Sequence, residues 1–173
     1  RPVEKEITFP MRKLLTASAL ALTIGSMGPL PASATPYHQE IANDLRPCNA
    51  GNGPAIKVIV SGIRAGSGKI RVQSYRATQA DWMIKGRWIN RMEAPARNAT
   101  MAFCVPLPAA GTYGIAVRHD INGNGKTDIS RDGGAMSNNP SINIFNLGKP
   151  SFKKVGVSVG QGVTPITINM RYM

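Results

Sequence analysis

From residue 55 onward, apolar and polar side chains alternate with a period of two, the pattern of strands with one buried face. In AIKVIVSGI, the residues Ile56, Val58 and Val60 share a face. After the turn RAGSG, the run KIRVQSYRA sets Ile70, Val72 and Ser74 inward with Arg71, Gln73 and Tyr75 opposite; the two runs together predict a hairpin. Residues 99–108 and 112–119 predict two further strands, with Pro108 and Gly111 punctuating the turn between them. In the second of these, Tyr113, Ile115, Val117 and His119 lie on one face and Thr112, Gly114, Ala116 and Arg118 on the other. His119 therefore continues an apolar row and reads first as a packed or capping residue. VGVSVG and TPITINMRYM predict a closing pair of strands.

Two stretches break the alternation. Residues 80–93 carry Trp82, Met83, Trp88 and Ile89 without strand periodicity, and predict either one short helix or a long crossing loop with aromatics closing an end of the core. Residues 120–151 are polar and glycine-rich and predict a long loop, a feature that in a compact domain usually carries function or leans on a ligand. No segment offers a long amphipathic helix. Short strands with Gly and Pro turns predict an all-β fold, a single antiparallel β-sandwich over residues 55–173, preceded by an irregular arm over residues 35–54.

The first residues change the picture of where this domain works. Met11 opens MRKLLTASALALTIGSMGPLPASA, in which Arg12 and Lys13 precede a short apolar run and Ala32-Ser33-Ala34 forms a small-residue cleavage site. Residues 11–34 thus read as a secretory signal peptide, too short in its apolar part for a bilayer span of ~20 residues. Residues 1–10 have no place in such a signal and read as an extension outside the fold. A bacterial periplasmic or secreted location is expected, with no transmembrane segment once the signal is removed.

Export gives the two cysteines a meaning. Cys48 and Cys104 are expected to form one disulfide, stapling the arm to the strand MAFCVPL. Beyond the signal, 17 bases stand against 7 acids. The bases are scattered singly except for Lys153-Lys154, without the interleaved aromatics of a nucleic-acid groove. No nucleic-acid role is expected; an anionic glycan, lipid or other envelope component is the expected kind of partner, and a monomer the expected state.

Catalytic constellations are poorly represented. Three of the seven acids, Asp120, Asp128 and Asp132, fall in one loop, no G-x-S-x-G elbow is present, and AGSGKI lacks phosphate-loop spacing. No catalytic residue is assigned. The stretch HDINGNGKTD does match the first half of a calcium loop, with oxygen ligands from Asp120, Asn122 and Asn124, Gly125 at the sharp turn, then the Lys126 carbonyl and Asp128. Arg131 stands where a bidentate glutamate belongs, with Asp132 one residue later, so affinity on the order of 10⁻⁴ to 10⁻³ M is expected for Ca²⁺. Asn-Gly, present twice, is equally a tight-turn signal that needs no metal.

The block GTYGIAVRHDINGNGKTD, followed by GGAMSNNP, LGKPSFKKV and ITINMRYM, resembles the bacterial exported family called domain of unknown function 2141. SGIRAGSGKIRVQSY is similar to that family's first strand pair. The resemblance spans most of residues 54–173. It implies a secreted or periplasmic sandwich of immunoglobulin-like or transthyretin-like shape, with no assigned activity. Its signature falls on His119, Asp120, Asn122, Gly123, Asn124 and Gly125, then on Ser137, Asn138 and Asn139. Ile121 departs from the acidic residue that often follows the first aspartate.

Three functional readings result. The first is an exported non-enzymatic module in envelope interactions, its loop held by its own hydrogen bonds or by weak Ca²⁺. The second is a carbohydrate or polyanion binder using Trp82, Trp88 and Tyr75 beside Arg87 or Arg91; buried tryptophans count against it. The third is an enzyme using His119 and Asp120 at the loop's rim.

Overall fold

Period-two alternation is realised as ten strands in two packed sheets, seen in a computed structural model that describes residues 37–142 and 148–172. The expected signal peptide over residues 11–34 and the extension expected before it lie outside the described residues, all of which belong to one compact unit.

The strands are β1 (Gln39–Glu40), β2 (Ala55–Ile63), β3 (Lys69–Arg76), β4 (Asn90–Pro95), β5 (Ala99–Pro106), β6 (Gly111–Asp120), β7 (Gly133–Met136), β8 (Val157–Val159), β9 (Val163–Asn169) and β10 (Arg171–Tyr172). One short helix, α1 (Phe152–Val155), and a single 3₁₀ turn at Arg46–Cys48 complete the inventory among the described residues. The larger sheet runs β1-β4-β3-β6-β7-β10, with β8 on the other end of β6; the smaller runs β5-β2-β9. Their facing sides form the main core. Ile70, Val72, Met92, Ile115 and Val117 from one sheet meet Ile56, Val58, Val60, Phe103, Val105 and Ile168 from the other.

The sandwich is as the alternation implies, but its connections differ. β2 and β3 do not pair: β2 joins β5 and β9, while β3 joins β4 and β6. The predicted hairpin is instead an arch between the sheets. Both strands keep one face inward whether they pair or arch, and five turn residues are long enough to cross the ~10 Å between packed sheets. Most pairings are antiparallel, but β2–β9 and β1–β4 are parallel. The arm is thus not wholly irregular, since β1 adds an edge strand beside β4.

Of the two readings of residues 80–93 the loop holds up to residue 89: residues 77–89 contain neither helix nor strand, and they join β3 to β4 within one sheet. Thr78 Oγ1 donates to Asp81 Oδ2 at 2.9 Å and fixes a tight turn, after which β4 begins at Asn90. The aromatics obscured this because Trp82 packs on the outer face of the larger sheet, where it forms a second apolar cluster with Tyr75, Met136 and Val155. Within the predicted loop over residues 120–151 lies β7, whose sequence GGAM scores poorly as a strand. Gly133 is needed because a Cβ there would overlap the ring of Tyr172.

Cys48 and Cys104 are joined, with Cα atoms 5.7 Å apart across 56 residues of sequence. By chain entropy, closing a loop of that length contributes roughly 4 kcal/mol.

Candidate functional site

Asp120 ends β6, and its neighbours on that strand determine the loop that follows. Alternation places Arg118 and Asp120 on the outer face of the sheet and His119 on the inner. Asp120 is 4% exposed, and its Oδ2 accepts from Gly125 N at 2.8 Å, closing the first turn. Gly123 and Gly125 adopt φ of 68° and 78°, so both Asn-Gly steps bend through the left-handed region. Asn122 Oδ1 accepts from Asn124 N at 3.2 Å and Asn124 Oδ1 from Lys126 N at 2.8 Å, two successive side-chain-to-backbone turns.

The amide nitrogens of Asn122 and Asn124 both donate to Asp128 Oδ2, at 2.8 and 2.9 Å. Those bonds, Asn122 first and Asn124 next, hold the Asp128 carboxyl below its ordinary range. Asp132 closes the loop: its Oδ1 accepts from Ile121 N at 3.1 Å and its Oδ2 from Asp128 N at 3.0 Å. So the sequence-derived ligand set is only partly gathered. Asn122, Asn124 and Asp128 come together, but with amide nitrogens rather than oxygens turned inward. The orientation of these amides follows from the bonding pattern. Asp120 faces Gly125 N and a resident cation instead. Among the described residues, no group of three or more His, Cys, Asp or Glu side chains is arranged to hold a metal.

That resident cation is Arg118. Its Nη2 reaches Asp120 Oδ2 at 3.4 Å and Gly125 O at 3.1 Å, and its Nη1 donates to Thr127 Oγ1 at 3.0 Å. Burial, then the facing Arg71 across the β3–β6 register, push its pKa down, while Asp120, Asp132 and Glu93 oppose this. Asp120 Oδ1 is left buried with no hydrogen-bond partner among the described residues.

His119 is fully buried and bonded at both ring nitrogens. Nε2 lies 2.9 Å from Ser67 O, which can only accept, so Nε2 carries the proton; Nδ1 is then free to accept from Tyr172 Oη at 2.8 Å.

Ser137, Asn138 and Asn139 form a clamp. Ser137 Oγ accepts from Ile115 N at 3.0 Å and donates to Val155 O at 2.6 Å. Asn138 Nδ2 donates to Gly156 O at 2.9 Å. Asn139 pairs with the edge of β9, donating to Thr167 O at 2.9 Å and accepting from Asn169 N at 2.7 Å.

Trp82 is buried, its Nε1 donating to Pro150 O at 2.8 Å, with Tyr75 edge-on at 5.4 Å. Trp88 is half-buried under the Arg91 guanidinium at 4.2 Å, with His38 tilted against it at 5.0 Å. Arg87 stacks on Tyr37 instead, at 5.3 Å. The two indoles do not form a shared open platform.

A model of the family described as "Uncharacterized protein conserved in bacteria (DUF2141)" matches residues 58–167. The chain belongs to this family. Neither the curated proteins nor the solved structures contain a match to it. The DUF2141 match runs from within β2 to within β9 and so contains the whole loop and the clamp.

Within this DUF2141 chain, three residues that complete the site were missing from the sequence-derived set. Arg118 was legible only as an outward residue two places before Asp120. Asp132 stood one place beyond the expected ligand position, and Tyr172 lies in ITINMRYM, far from its partner in sequence. Pairing of β6, β7 and β10 brings them together.

Proposed function

We propose that this DUF2141 chain is an exported, non-catalytic β-sandwich module that binds an anionic component of the bacterial envelope. The observation that carries the reading is how the acids are engaged. Asp44, Glu40, Glu93 and Asp120 face arginines or lysines. Asp81, Asp128 and Asp132 are held by hydroxyls, amides or backbone N–H groups. With 17 bases against these seven acids, a surplus of positive charge stays on the surface. A non-catalytic role is supported by His119, buried and engaged at both nitrogens, beside an Asp120 committed to Gly125 and Arg118. Expressed in a bacterial host, the chain is expected in the periplasmic or extracellular fraction, shortened after residue 34 and retained by an anionic matrix in a salt-dependent way. A full-length cytoplasmic chain that is not retained overturns the reading.

Weak Ca²⁺ binding in the loop is the second part of the reading. It is favoured by Asp120 Oδ1, a buried carboxylate oxygen without a partner beside a loop of short oxygen-bearing side chains. Ligation would require the amides of Asn122 and Asn124 to turn their oxygens inward and the Lys126 carbonyl to join. Excess Ca²⁺ at ten to a hundred times Kd would then add roughly 1 to 3 kcal/mol of stability. Thermal melts in millimolar Ca²⁺ and in chelator decide it; identical melting temperatures remove the metal.

A further inference from the structure

Part of the surplus charge is gathered on one face. The turn at residues 83–87 and the segment at residues 149–154 lie together, because Trp82 Nε1 donates to Pro150 O and Lys149 Nζ donates to Met83 O at 3.5 Å. Both segments pack on the second apolar cluster, into which Met83 and Phe152 are half-buried. Phe152 and Val155 of α1 face that cluster, which leaves Lys153 and Lys154 outward. Lys85, Arg87, Lys149, Lys153 and Lys154 are all exposed, and neither segment contains an acid. The nearest acid in sequence, Asp81, is 7% exposed and held by Tyr37 and Thr78. None of the ion pairs found among the described residues involves these five bases. At the apex of the turn, Ile84 is 41% exposed, set there by Ile84 N donating to Asp81 O and Arg87 N to Ile84 O.

We propose that this face, where an exposed isoleucine tip lies beside lysines that no ion pair among the described residues engages, docks on an anionic lipid bilayer surface. The proposal rests on the envelope-module reading above and names its partner. Lysine ammonium groups on flexible stems suit headgroup phosphates, and an isoleucine among them suits the acyl boundary. A sugar-binding face would instead present an open aromatic plane, and here Trp82 is buried and Trp88 covered by Arg91.

The test uses the chain as recovered after export, with vesicles of phosphatidylglycerol mixed with phosphatidylcholine, vesicles of phosphatidylcholine alone, and heparin as a sulfated-glycan arm. The chain is expected to sediment with the anionic vesicles and not with the neutral ones. Each base near the surface contributes about a fivefold factor, so the triple variant K149E/K153E/K154E is expected to lose a hundredfold or more in partitioning. Ile84→Ser is expected to weaken binding while leaving its salt dependence unchanged. The control K57E/R97E/R171E carries the same charge change on exposed residues elsewhere and is expected to retain most of the binding; melting curves show that each variant is folded. Equal loss in the control, or no loss in the lysine triple, overturns the proposal. Heparin binding without vesicle binding overturns the lipid assignment and leaves the envelope-module reading standing. Binding to neither ends both.

Discussion

The hydroxyl of Tyr172 in β10 donates to Nδ1 of His119 in β6 at 2.8 Å, and Arg64 N donates to the same hydroxyl at 3.2 Å. With Nε2 of His119 on Ser67 O, one chain of hydrogen bonds ties the arch between the sheets to the strand that opens the signature loop. Both ring nitrogens of a histidine in an apolar row are satisfied in this way.

Tyr172→Phe leaves the Nδ1 acceptor buried and unpaired, and is expected to cost about 1 to 3 kcal/mol. Urea unfolding measures this. Combined with His119→Phe, the loss should fall short of the sum of the singles by about 0.5 to 3 kcal/mol, because both remove one interaction. Additive losses would show that the two residues are not coupled.

The arch itself depends on Gly68, which has φ of 73° and no room for a Cβ, since one would overlap Asp120 O and Ile121. Gly123 has a similar φ of 68° but open space around it. Gly68→Ala should therefore cost clearly more than the roughly 1 to 2 kcal/mol expected of Gly123→Ala from backbone conformation alone. Similar unfolding midpoints for the two variants would contradict the overlap.

These residues also mark how far the sequence could be read. Alternation assigned inward and outward faces correctly along β2, β3 and β6, because burial of one face is a local property of a strand. It said nothing of whether β2 pairs β3, since arch and hairpin share one pattern. Gly133 and Gly134 concealed β7, whose place depends on Tyr172 and β6 rather than on its own side chains. In the loop, spacing singled out Asp120, Asn122, Asn124 and Asp128, of which the structure joins the last three by side-chain hydrogen bonds and turns Asp120 to Gly125 N. It could not foresee that amide nitrogens would turn to Asp128, or that Arg118 would reach in from the strand, because both depend on geometry around the carboxylates.

Electrostatics on the outer face give a pH-dependent prediction. Glu93 lies 2.6 Å from Arg71 Nε and 3.6 Å from Lys69 Nζ. Burial opposes its ionisation, but the Arg71 hydrogen bond and charge, then Lys69, outweigh it and hold the carboxyl below its ordinary 4.5. A carboxyl with a depressed folded pKa binds fewer protons folded than unfolded. Its stabilisation is therefore present above the unfolded value and lost as pH falls through the folded one. Glu93→Gln should be less stable than the parent at neutral pH, and the gap should close below about pH 4. Denaturant midpoints across that range check this; a gap that does not change with pH refutes it.

Asn139 explains why the signature carries two asparagines before Pro140. Asn138 and Asn139 adopt φ of 62° and 49°, a left-handed conformation that asparagine tolerates better than most residues. From that position the Asn139 amide acts as a neighbouring peptide would, offering a donor to Thr167 O and an acceptor to Asn169 N on the outer edge of β9. It thereby covers part of an edge strand that would otherwise present unpaired groups. Asn139→Ala and Asn139→Gly both remove these bonds, but only alanine adds backbone strain of about 1 to 2 kcal/mol. Faster hydrogen exchange at the Asn169 amide is expected in both variants, with the alanine variant the less stable in urea. Unchanged protection at Asn169 would mean that the amide does not cover the edge; equal stability of the two variants would mean that the left-handed backbone imposes no cost.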